Sequence, residues 1–116
     1  AAPAPVLVHL STDQVYGGSK AFSTEDDAAA PVNEYGRQKL ESEALVAEVW
    51  PEGRWLALRS SIIYGAMPPA PLAKTPFVQF VDRLLGSGDP GSFFTDEWRC
   101  PVYVVDLVRV VRGAVE

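Results

Sequence analysis

Two short apolar runs, Val6-Leu7-Val8-His9-Leu10 and Trp55-Leu56-Ala57-Leu58, flank a single long stretch of helical pattern. This arrangement constrains the fold more than any other feature of the sequence. Each run is too short for a helix and lacks the polar alternation of a half-solvated strand. Each is therefore read as a strand buried on both faces. Asn33 is a good helix N-cap, and Pro51-Glu52-Gly53 closes the helix. Strand, helix, strand is a βαβ unit, and it requires parallel strands. On the helix, Tyr35, Leu40, Ala44 and Ala47 are assigned to one face, with Glu41, Glu43 and Glu48 turned to water.

Ser11 to Val32 is polar, carries Gly17-Gly18 and Glu25-Asp26-Asp27, and reads as a long, solvated loop. The second apolar run continues through Arg59-Ser60-Ser61 into Ile62-Ile63-Tyr64-Gly65. The prolines of Met67–Thr75 make that stretch loop. Pro76–Leu85 has Phe77, Phe80, Val81 and Leu84 at helical spacing, with Pro76 suited to the first turn. Gly86–Ser92 is turn-rich, Val102–Val104 is a strand candidate, and Asp106–Val115 is a helix with an apolar stripe of Leu107, Val110, Val111 and Ala114.

The expected fold class is α/β: the C-terminal part of a Rossmann-like doubly wound parallel sheet, plus part of a small lobe. The boundary is placed between residues 1–66 and 67–116. A sheet of so few strands, each read as buried on both faces, is incomplete. The chain is expected to be a fragment or to be completed by something else. Ala1–Pro5 reads as a linker or cut end, with no signal-peptide pattern.

The 116 residues suffice for one small core, and their net charge of −5 comes without a basic cluster. That balance argues against nucleic acid and anionic membrane as partners. No apolar run approaches the roughly 20 residues of a membrane span. One Cys precludes an internal disulfide and suggests a reducing compartment, cytoplasm or organelle stroma or matrix. With a single His, it leaves no plausible zinc set.

Two features carry chemistry. In Tyr35-Gly36-Arg37-Gln38-Lys39 the phenol and the ammonium are four residues apart and share a helix face. An ammonium near a phenol favours the phenolate, which suits the pair to exchanging a proton with an alcohol/carbonyl couple. A half-buried Tyr beside a surface Lys is the plainer alternative. Ser11-Thr12-Asp13 follows the first strand directly, at the carboxyl end where open α/β sheets bind ligands. A polar strand end with an Asx turn is the alternative there.

Taken together and in order, these segments resemble the extended short-chain dehydrogenase/reductase family. Ser11-Thr12-Asp13-Gln14-Val15-Tyr16 is similar to its Ser-Thr-Asp-Tyr-Val-Phe. Glu25-Asp26-Asp27…Asn33-Glu34-Tyr35-Gly36…Lys39…Glu43, Leu58–Gly65 and Arg99–Leu107 match further stretches. The Ser-Thr-Asp form resembles the dTDP-4-dehydrorhamnose reductase-like branch, to which methionine adenosyltransferase regulatory β subunit-like proteins of plants and algae belong.

The resemblance implies NAD or NADP as cofactor and a nucleotide-sugar-like substrate. It implies that Thr12 orients the substrate carbonyl, that Tyr35 donates the proton, and that Lys39 holds the nicotinamide ribose. Ser61 and Ile62 would lie against the cofactor, and Asp13 and Arg99 against the substrate. Arg99 reads equally as a surface residue paired with Asp96 or Glu97. A non-catalytic subunit with a protein partner is the rival reading.

Gly86-Ser87-Gly88-Asp89-Pro90-Gly91 has dinucleotide-turn spacing but follows a helix and contains Pro90, so it is read as a turn. These 116 residues alone are therefore expected to bind NAD(P) weakly. His9, Trp50, Trp55, Trp98 and Cys100 are assigned to the core or to a lobe interface.

Overall fold

Pro5 delivers the chain into the first strand. The computed structural model describes residues 4–116, so residues 1–3 of the stretch read as a linker lie outside it. Strand β1 (Val6–Leu10) and strand β2 (Arg54–Leu58) pair in parallel, with Val6 opposite Arg54 and Leu10 opposite Leu58. Helix α1 (Glu34–Val49) makes the crossover. Asn33 starts it by accepting a hydrogen bond from Gly36 N at 2.8 Å, and the chain leaves it through Trp50 and Pro51. The α/β class and the parallel βαβ unit are thus present.

The inward face of α1 differs from the one its apolar residues suggested. Gly36 and Glu43 are its buried residues, while Ala44 and Ala47 are exposed. Glu43 was expected to face water, but it turns inward because Ser11 and Arg59 wait for it there. The strands are half-buried rather than fully buried, because a two-stranded sheet leaves each strand an open edge.

The loop after β1 opens with a single 3₁₀ turn, Asp13–Val15, whose Val15 is fully buried. The remainder runs over the surface to Asn33.

The structure divides into two compact units. One runs to Ser61 and includes Ala114–Glu116; the other is Ile62–Gly113. In the second unit, β3 (Ile63–Tyr64) pairs in parallel with β4 (Val102–Tyr103), with helix α2 (Phe77–Ser87) between them in sequence. Pro76 occupies the N-cap of α2, and Phe77 and Phe80 stand 6.3 and 6.5 Å from the ring of Phe93. Helix α3 (Val104–Val115) begins directly after β4, two residues earlier than expected, and buries Leu107.

The Gly86–Gly91 run closes α2, with Gly88 as its left-handed cap at φ 72°. A helix end presents carbonyls, so this run lacks the N–H cradle of a pyrophosphate turn. Trp98, assigned to the core or a lobe interface, is 91% exposed and so is not part of the core, and Cys100, read as buried, is exposed because the apolar stretch begins only after Pro101. His9 is half-buried, with Nε2 buried and unpartnered among the described residues.

Candidate active site

The parallel pairing continues past the strand ends. Ser11 N donates to Leu58 O at 2.9 Å, and Asp13 N to Ser60 O at 3.1 Å. Ser11-Thr12-Asp13 is thereby fixed at the carboxyl end of the sheet, where side chains can meet a ligand. Both hydroxyls are buried, Ser11 at 5% and Thr12 at 4% exposure. Their commitments differ. Ser11 Oγ donates a hydrogen bond to Glu43 Oε1. Thr12 Oγ1 accepts from Gln14 N at 3.3 Å and donates to Asp13 Oδ1 at 3.4 Å, both at the long limit. Thr12 is the weakly held hydroxyl of the two.

Tyr35 and Lys39 lie on the first turns of α1, and the Tyr35 side chain is half exposed. Lys39 Nζ donates to Leu10 O at 2.8 Å and stands 5.9 Å from the centre of the Tyr35 ring. The last carbonyl of β1 thus seats the ammonium beside the phenol. One of its three N–H groups is used there, and the remaining two suit a ribose diol.

Three ties lock this end of α1 to the hydroxyl segment. Lys39 reaches β1, Asn33 Nδ2 donates to Gln14 Oε1 at 2.7 Å, and Gly36 lies against the Gln14 carbonyl. Thr12, Asp13, Tyr35 and Lys39 therefore sit on adjoining, mutually fixed segments.

Ser11 also joins a polar network that the sequence did not reveal. Arg59 Nη2 and Nε bond Glu43 at 2.6 and 3.0 Å, and Arg59 Nη1 donates to Tyr16 Oη at 2.6 Å. Tyr16 in turn donates to Thr24 O at 2.9 Å, and its ring lies 5.1 Å from the guanidinium carbon. Burial disfavours the Glu43 carboxylate. The hydrogen bonds from Arg59 and Ser11, with the Arg59 charge, outweigh it and hold the Glu43 pKa below the usual value. The Arg59 pKa is raised, first by its hydrogen bond to Glu43 and then by the one to Tyr16, against the effect of burial. A cleft of about 430 Å³ borders this network along β2, lined by Tyr16, Thr24, Glu43, Trp55, Leu56 and Arg59, without Tyr35 or Lys39.

Of the other expected site residues, Ser61 Oγ is buried and has no hydrogen-bond partner among the described residues. Ile62 and Arg99 belong to the second unit. The Ile62 carbonyl accepts from Val102 N at 2.9 Å, which starts the β3–β4 pairing. Arg99 Nε donates to Glu97 Oε1 at 2.6 Å. Among the described residues no group of three or more His, Cys, Asp or Glu side chains could hold a metal ion, and no helix is long and apolar enough to cross a membrane.

Comparison with known proteins places the chain in a family. The family model described as RmlD substrate binding domain matches residues 2–116. A protein named probable low-salt glycan biosynthesis reductase, from Haloferax volcanii, is 40% identical over 96 residues, covering 82% of this chain and 31% of that protein. A dTDP-4-dehydrorhamnose reductase of Sinorhizobium fredii is 33% identical over 102 residues, 87% of this chain and 32% of the relative. The methionine adenosyltransferase 2 subunit beta of Rattus norvegicus is 30% identical over 112 residues, 95% of this chain and 32% of the relative. The chain spans about a third of the length of these curated relatives. No solved structure gives a significant match.

Proposed function

The chain belongs to the RmlD substrate binding domain family, and from that premise we propose that it carries the proton-transfer part of an NAD(P)-dependent reductase acting on a nucleotide-sugar-like carbonyl or alcohol. The observation that carries the reading is Lys39, seated by the Leu10 carbonyl beside Tyr35 and tied to the segment that holds Thr12. Relatives named as reductases of deoxysugar nucleotides support the same class.

The residues present fit the nicotinamide-ribose end of such a cofactor. Lys39 has two N–H groups for ribose hydroxyls, and Ser61 offers a buried hydroxyl that nothing among the described residues satisfies. A bound nicotinamide supplies the hydride. The rest falls to this chain. Thr12 Oγ1, held only by long contacts, turns its proton to the substrate carbonyl oxygen and orients it. Tyr35 Oη donates a proton to that oxygen as negative charge gathers on it. Lys39, cationic beside the ring, stabilises the phenolate left behind. Asp13 and Arg99 are proposed substrate contacts, Arg99 for a phosphate, a task suited to a guanidinium. Ile62 is proposed on the cofactor side.

The test is NADPH oxidation by the full-length protein carrying this chain, with a dTDP-4-keto-6-deoxy sugar as acceptor. Turnover that is lost in Tyr35→Phe supports the reading; full activity in that variant overturns it.

A second reading is favoured by one observation, the 30% identity with methionine adenosyltransferase 2 subunit beta over 95% of the chain. In it the chain belongs to a non-catalytic subunit with a protein partner. Stable co-purification with a catalytic partner, without NADPH oxidation, would select it.

A further inference from the structure

We propose that Glu43 and Arg59 form a positioning pair that clamps the Ser11–Tyr16 segment at both ends, so that Thr12 rather than Ser11 is presented to substrate; the inference rests on the reading of Thr12 as the substrate-side hydroxyl. Two adjacent hydroxyls stand at the end of β1, equally buried and chemically alike. Something must decide between them. Neighbouring residues of an extended chain point to opposite faces, and Thr12 is extended, with φ −149° and ψ 150°. Fixing Ser11 on one face therefore fixes Thr12 on the other.

Glu43 does that fixing. An ionised carboxylate only accepts hydrogen bonds, so the Ser11 proton is committed to it. Three hydrogen bonds from Arg59 Nε and Nη2 hold the carboxylate in place. The third arm of the guanidinium holds Tyr16, the residue that ends the 3₁₀ turn. One ion pair thus grips the residue before Thr12 and the residue closing the turn after it. Thr12 itself keeps contacts of 3.3 and 3.4 Å, too long to hold it unaided.

Ser11→Ala and Tyr16→Phe each release one end of the clamp and leave the ion pair intact. The readout is the Thr12 χ1 rotamer, from three-bond couplings measured by NMR on the full-length protein carrying this chain. Order in β1 and β2 is followed through their amide exchange. The expected result is a single Thr12 rotamer in the parent chain and averaged couplings in both variants, with β1 and β2 protection retained. In the full-length protein kcat should fall by about 10²-fold while KM for NADPH holds. Ser11→Thr, which keeps the hydroxyl, should restore the single rotamer. An unaltered Thr12 rotamer in both variants overturns the clamp, as does averaging already present in the parent chain or a loss of order shared equally by β1 and β2. The couplings decide this even if no reductase activity is found, so a failed enzyme reading and a failed clamp are told apart.

Discussion

Gly36 lies so close to Gln14 that a Cβ at position 36 would run into the Gln14 carbonyl oxygen. Only a residue without a side chain lets the start of α1 approach the 3₁₀ turn, and that approach brings Tyr35 beside the hydroxyl segment. Gly36→Ala should destabilise the chain by about 1–3 kcal/mol, as overpacking does. Gly86, near the end of α2, meets nothing within 4 Å. Gly86→Ala should be neutral or stabilising by up to about 1 kcal/mol. Urea unfolding should lower the midpoint for Gly36→Ala and leave it unchanged or raised for Gly86→Ala.

Removing one partner of the Glu43–Arg59 pair leaves the other charged and poorly solvated, since their side chains are 9% and 23% exposed. Arg59→Met should cost about 3 kcal/mol, the low end for a buried pair because Arg59 keeps some contact with water. By contrast Arg37→Met, which removes two ion pairs exposed on both sides, should change stability by less than about 1 kcal/mol. Chemical denaturation compares the two.

Acid should act through Glu43. Its folded pKa is lowered from the ordinary 4.5, so the unfolded state binds more protons in the acid window. The contribution is complete above 4.5 and disappears as pH falls through the lowered folded value. Glu43→Gln should be less stable than the parent at neutral pH, and the gap should narrow as the solution is acidified. A gap that stays constant from neutral pH downward would rule Glu43 out as the source.

In the full-length protein, Tyr35→Phe should lower kcat by about 10²–10⁴-fold, the range of one proton-transfer group. Lys39→Met should weaken NADPH binding as well, because Lys39 is proposed to hold the ribose. Steady-state kinetics at a fixed pH separates the two effects.

Calorimetric titration of this chain alone with NADPH should show no micromolar binding. Its one Gly-x-Gly-x-x-Gly run closes α2, and a helix C-terminus offers carbonyl oxygens rather than N–H groups to a pyrophosphate.

The βαβ unit was legible because its signals are local. Apolar runs mark β1 and β2, Asn33 caps α1, and Pro51 ends it. Thr12, Tyr35 and Lys39 were singled out through spacing and resemblance, and their roles are proposals. Glu43 was misplaced for a physical reason. A carboxylate on a polar helix looks solvated until its partners are known, and these lie far away in sequence, at Ser11 and Arg59. Glu43 and Arg59 each fall in a stretch that matched the family, but nothing in the spacing joined them. Cys100 was misplaced because the apolar stretch that suggested burial begins only after Pro101, and Trp98 is out of the core because its residue type alone carried that reading.

The pairing of β1 with β2 also governs how the chain reaches its native state. The two strands bond directly, Val6 against Arg54, yet the whole of α1 and its preceding loop lie between them in sequence. Closing so large a loop costs entropy before any ladder bond repays it. Helix α1, with its own cap and its i,i+3 and i,i+4 pairs from Glu34 and Glu41 to Arg37, can form locally and shorten that search. Strand closure then becomes the slow event, and the hydroxyl segment, anchored to both strand ends, is assembled only when it is complete.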